Sequence, residues 1–142
     1  MPSQAKMILA SGLTVAVGAA MPAWAQGTTE RVSVSSGNAQ SNDRSFGQEL
    51  SADGRFVAFD SLATNLVSGD TNEQQDVFVR DRKLGTTRRV SVGPGGVQGD
   101  TWSEGPAISA DGRFVAFYSD ATNLVPGDTN ATIDVFVRTL VP

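Results

Sequence analysis

Residues 27–80 and 85–138 align without a gap at an offset of 58, and 35 of the 54 paired positions are identical. SADGRFVAF at 51–59 returns unchanged at 109–117, ATNLV at 63–67 returns at 121–125, GDTN at 69–72 at 127–130, and DVFVR at 76–80 at 134–138. A fixed period of this length is the mark of a repeat architecture, and every other feature has to be read within it.

Each copy holds four short strand candidates. The first is Gly47–Ser51, matched by Gly105–Ser109. The second, Arg55–Ser61, puts Phe56, Val57, Ala58 and Phe59 in a row and leaves little polar surface on either side, as a strand covered on both faces requires. The third, Asp76–Arg80, is rich in β-branched and aromatic residues. In the fourth, Thr86–Val92, Val90 and Val92 alternate with Arg89 and Ser91, and its counterpart Thr29–Val34 comes at the very start of the mature chain. The fold class expected is all-β, with two four-stranded antiparallel units.

Asp53-Gly54 and Asp111-Gly112 mark tight hairpins, where glycine takes positive φ without a Cβ clash. Lys83-Leu84-Gly85 makes a second short return, whereas Leu62–Gln75 and Gly93–Glu104 are long connections. In an up-and-down meander alternate connections emerge at one end. The long loops therefore share one face and the tight turns the other, and the long-loop face is where binding is expected.

The first 25 residues follow different rules. Lys6 precedes an apolar stretch over 7–21, and Ala23-Trp24-Ala25 fits a small-x-small cleavage site, so a signal peptide cut before Gln26 is expected. The stretch is short for a membrane span, and lipoprotein processing needs a cysteine that the sequence lacks. The destination implied is periplasmic or extracellular. The remaining 117 residues, 26–142, carry 10 basic and 15 acidic side chains, a net charge of −5. Nucleic acid and anionic lipid both demand clustered Lys and Arg, so neither is an expected partner. Without disulfides, stability has to come from packing, a metal or assembly.

An S-x-D-G-R-aromatic-V-A-F hairpin before a D-aromatic-V strand resembles the blades of TolB-like, WD-repeat-like bacterial β-propellers. Ser51, Asp53, Gly54, Phe59 and Asp76–Val79 carry the resemblance, as do Ser109, Asp111, Gly112, Phe117 and Asp134–Val137. It implies two propeller-type blades, about 27–84 and 85–142, the second without its own fourth strand. Propellers close with about four to eight blades. Either several chains assemble into one ring, or the sequence is a fragment of a longer one; two blades packed as a small sandwich is a third arrangement.

Asp70, Asn72 and Asp76 recur as Asp128, Asn130 and Asp134, and Asp and Asn oxygens at such spacing suit Ca²⁺. Against an EF-hand loop, the glycine at the sixth position is missing (Gln75, Ile133), as is an acid at the fifth (Gln74, Thr132). The competing reading is structural: Asx turns at the first two residues and, at the third, a strand cap paired with an arginine. Trp102, flanked by Asp100 and Glu104 and aligned with Arg44, is unduplicated; it either anchors a partner or packs between repeats. With no His and no Cys, the common nucleophile and zinc mechanisms are out of reach, and no feature of the sequence selects a carboxylate pair. The expectation is a non-catalytic module that binds a protein or cell-envelope partner, or copies that close a ring; the alternatives are a calcium-stabilised structural repeat, a fragment of a larger propeller protein, or, as the resemblance permits, a hydrolase or lyase on a propeller scaffold.

Overall fold

The computed structural model describes residues 27–140; the expected leader lies outside them. The chain is all-β. Strands β1 (Ser45–Leu50), β2 (Phe56–Ser61), β3 (Asp76–Asp81) and β4 (Thr86–Arg89) form one antiparallel sheet in that order. Strands β5 (Ser103–Ile108), β6 (Phe114–Ser119) and β7 (Asp134–Thr139) form a second, also in chain order.

The duplicated motif explains the hairpins atom by atom. Ser51 Oγ donates to Asp53 Oδ1 (2.7 Å) and accepts from the Phe56 amide (3.0 Å), while the Gly54 amide donates to the Ser51 carbonyl (2.8 Å). Ser109, Asp111, Phe114 and Gly112 repeat the set, and both glycines sit at φ 70°. A serine, an aspartate and a left-handed glycine at this spacing close the turn using its own side chains. A second device is common to both sheets. The register slips between Phe46 and Glu49 and again between Glu104 and Ala107, with Gly47 and Gly105 in the left-handed region inside each bulge. A Cβ at Gly47 would collide with the Asp60 carboxylate, and one at Gly105 with the Tyr118 ring.

The sheets pack face to face. Ala58, Val77 and Val79 of the first meet Val115, Phe117, Ala121, Leu124 and Leu140 of the second, with Val90 completing the cluster. On the opposite face of the first sheet, Phe59, Ala63, Leu66 and Phe78 form a smaller cluster. Burying the valine, leucine and phenylalanine side chains among these contributes roughly 1.5–3 kcal/mol each. The coverage expected on both faces of the second strand holds for β2, buried from Val57 to Ser61, but not for β6, which alternates because only one of its faces has a neighbour.

Two strand expectations change. The fourth strand ends at Arg89, because the chain bends at Val90–Val92, where the Val92 amide donates to the Val90 carbonyl (2.9 Å). Thr29–Val34 is no strand. Val34 makes the same bend (Val34 amide to Val32 carbonyl, 2.8 Å) and an isolated bridge to Gln40. Thr87 holds the segment against the first sheet, donating from Oγ1 to the Val34 carbonyl (2.5 Å).

The ends of the sheets separate as the alternation of connections requires. The tight turns meet through the Ala52 amide and Ala110 carbonyl (3.0 Å). At the other end Gln98 Nε2 donates to Thr71 Oγ1 (2.8 Å), Asn72 Nδ2 to the Gly99 carbonyl (2.9 Å), and the Ser103 amide to the Gln75 carbonyl (2.7 Å).

Candidate functional site

In the first copy, Asp70 and Asp76 come together at the mouth of β3, around an arginine. Arg89 Nη1 lies 3.2 Å from Asp70 Oδ1 and 2.9 Å from Asp76 Oδ2, and all three side chains are almost wholly buried. Ser91 Oγ donates to Asp76 Oδ1 (2.6 Å) and accepts from the Val77 amide (3.0 Å), locking the bend after β4 onto β3. Asn72 accepts from the Gln74 amide in an Asx turn (3.3 Å). Burial, then the neighbouring Asp76, push the Asp70 carboxyl above its ordinary value, and Arg89 opposes them. The cation between these oxygens is a guanidinium.

In the second copy the same residues stand open. Asn130 Nδ2 donates to Asp134 Oδ2 (2.8 Å) and the Thr132 amide to Asn130 Oδ1 (3.3 Å). Among the described residues no cation lies within ion-pair distance of Asp128 or Asp134. A groove of about 520 Å³ opens there, walled by Val125, Asp128, Asn130, Asp134, Val135 and Val137.

Trp102, Asp100 and Glu104 take different places. The half-buried Trp102 ring meets Tyr118 edge-on, with centroids 6.0 Å apart. Asp100 caps the facing loop, accepting from the Thr122 hydroxyl (2.7 Å) and amide (2.9 Å), and the hydroxyl chiefly lowers its carboxyl below the ordinary value. Glu104 accepts from Tyr118 Oη (3.0 Å) and from Gln75 Nε2 (3.1 Å).

Neither the repeat nor the loop motif pointed to the polar cluster around Glu104. Gln75 Nε2 also donates to Asp60 Oδ2 (2.5 Å), so one amide joins two carboxylates across the two sheets. Asp60 is only 2% exposed, and burial first, with Glu104 adding, raises its carboxyl above the ordinary range. The hydrogen bond to Glu104 chiefly raises the Tyr118 phenol. A signal was present: Asp60, Gln75 and Glu104 align with Tyr118, Ile133 and Phe46, mismatches beside otherwise repeated runs.

No protein-family model and no curated protein matches the chain. What the site can do therefore rests on its own chemistry. Burial beside a second carboxylate favours the protonated form of a carboxyl, and a shared amide donor opposes it. Here the pair lies in the seam between sheets, with Asp60 shut behind Gly47 and Glu104 engaged by Gln75 and Tyr118. That arrangement suits alignment of the two sheets better than attack on a substrate.

Proposed function

We propose that this chain is an exported, non-catalytic β-repeat module of propeller type that presents its long loops to a protein or cell-envelope partner, in copies that close a ring. The observation that carries the reading is the loop end of the molecule. Residues 62–75 and 90–102 are tied together by the hydrogen bonds from Gln98 to Thr71 and from Asn72 to the Gly99 carbonyl, whereas the turns at the other end are closed by their own side chains. Loops held on a rigid sheet scaffold are where recognition is concentrated. A sequence without His or Cys, and a carboxylate pair of which Asp60 is buried and Glu104 half-buried in a seam, favour binding over turnover.

The test is site-specific photo-crosslinking in the producing cell. A crosslinker at Thr129 or Glu73, on the loops, should trap a discrete partner. One at Asp53 or Lys83, on the tight turns, should trap none. Equal yields from both ends, or a partner trapped only from the turns, would overturn the assignment of the binding face.

A further inference from the structure

The segment that follows β4 is a latch. Arg89 sits on Asp70 and Asp76, the Val90 amide donates to the Val77 carbonyl (2.8 Å), and Ser91 Oγ bonds both Asp76 and the Val77 amide. Farther on, the same segment reaches the second sheet, where Asn123 Nδ2 donates to the Gln98 carbonyl (2.9 Å). Residues 89–98 thus tie the exit of one sheet to the loop of the next.

Every part of this latch is present twice, but in the second set the halves do not meet. Arg31-Val32-Ser33-Val34 repeats Arg89-Val90-Ser91-Val92 without a change. It has the same bend, the same isolated bridge (Val34 to Gln40, as Val92 to Gln98) and the same anchor, Asn65 Nδ2 donating to the Gln40 carbonyl (2.7 Å). Its far end holds the first sheet, while Arg31 at its near end is exposed. Conversely, Asp128, Asp134 and Val135, the counterparts of the latch's seat, line the open groove beside β7. The valines at that edge are uncovered: Val135 is 76% and Val137 66% exposed, against 0% and 1% for Val77 and Val79.

We propose that the groove beside β7 receives residues Arg31–Val34 of a second copy of this chain, head to tail, with Arg31 between Asp128 and Asp134. Ser33 then takes the place of Ser91, bonding Asp134 and the Val135 amide, and Val32 takes that of Val90. The occupant is fixed by a template inside the molecule, where the same four residues already fill the same seat. The charges match, one guanidinium to two carboxylates, and a preformed bend reduces the ordering that docking requires. The contact is heterologous, so copies add in one direction until a ring closes or a filament grows. It rests on the ring reading above only for the number of copies.

The experiment is sedimentation of the purified protein over a wide concentration range, with Arg31→Glu and Val137→Glu made separately. The wild type should associate with concentration. Each variant should weaken association at least about tenfold, the scale of losing one well-placed pair across an interface, with circular dichroism unchanged. Should Val137→Glu fail to fold, Asp134→Lys replaces it. The two variants mixed should form a one-to-one dimer, because one keeps the groove and the other keeps the latch. A wild type that stays monomeric throughout, or a mixture that stays monomeric while the wild type associates, overturns the contact. A contact that persists but grows into open chains sinks the ring and leaves the latch standing.

Discussion

β3 and β7 share the five residues DVFVR, yet they live in different surroundings. In β3 all six residues are buried, whereas in β7 Val135, Val137, Arg138 and Thr139 are exposed. Both strands have the same register to the strand before them, and the same aromatic pair stacks in each sheet, Phe59 on Phe78 and Phe117 on Phe136, both at 5.8 Å. What differs is the neighbour: β3 has β4 at its edge and the second sheet on its face. Strand formation here belongs to the local sequence, and burial belongs to what packs against it.

The sharpest way to break the comparison is to put one charge in both places. Val79→Glu places a carboxylate without a partner in the core and should cost more than about 4 kcal/mol, enough to prevent folding of many small domains. Val137→Glu, measured by urea unfolding at low micromolar concentration, should stay within about 0.5 kcal/mol of wild type. Comparable losses at both positions would mean that β7 is covered in the isolated chain.

Next comes the arginine. Removing Arg89 leaves Asp70 and Asp76 buried without their cation, and breaking such a pair costs about 3–5 kcal/mol. Asp134→Ala, at the matching position of the open copy, should fall within about 0.5 kcal/mol under the same dilute conditions. A small loss for Arg89→Ala would show that water reaches the two carboxylates.

A smaller effect separates Asp60 from its counterpart Tyr118. Asp60 is held above its ordinary value, chiefly by burial, so its ionised form opposes folding. The favourable difference is complete below the unfolded value near 3.9 and is lost as pH rises through the higher folded value. Asp60→Asn keeps an acceptor for Gln75 and removes the charge, so it should melt higher than wild type at pH 7. The gap should close as pH falls below about 4. A gap independent of pH would place the effect in packing, not ionisation.

The repeat, the turns and the division into a loop end and a turn end were all legible in the residues, because each is written locally. Ser51, Asp53 and Gly54 close their hairpin with one another, and counting connections placed the long loops together. The fate of Thr29–Val34 was not legible. Its residues are those of the latch after β4, but whether they extend along a strand depends on an edge supplied from elsewhere. The role of Arg89 was half visible: an arginine was expected beside the third aspartate, but which one depended on a bend at Val90–Val92 that no turn residue announces. The Asp60–Gln75–Glu104 cluster joins three segments distant in sequence, and only the mismatches between copies hinted at it.

The smallest expected effect is that of calcium, and it too divides the copies. In the first, Arg89 lies between Asp70 and Asp76, so a divalent ion would have to displace a buried guanidinium and leave that charge unpaired. In the second, Asp128, Asn130 and Asp134 offer three side chains, and Asn130 Nδ2 already engages Asp134. Calcium takes six to eight oxygens, and this set leaves most of them to water. Millimolar Ca²⁺ should therefore move the melting temperature by less than about 1 °C, because a ligand stabilises appreciably only when its concentration exceeds its dissociation constant. A clear rise in wild type that disappears in Asp128→Asn but survives in Asp70→Asn would locate a calcium site in the open copy and overturn this expectation. A rise lost in Asp70→Asn would instead mean that Arg89 yields its place.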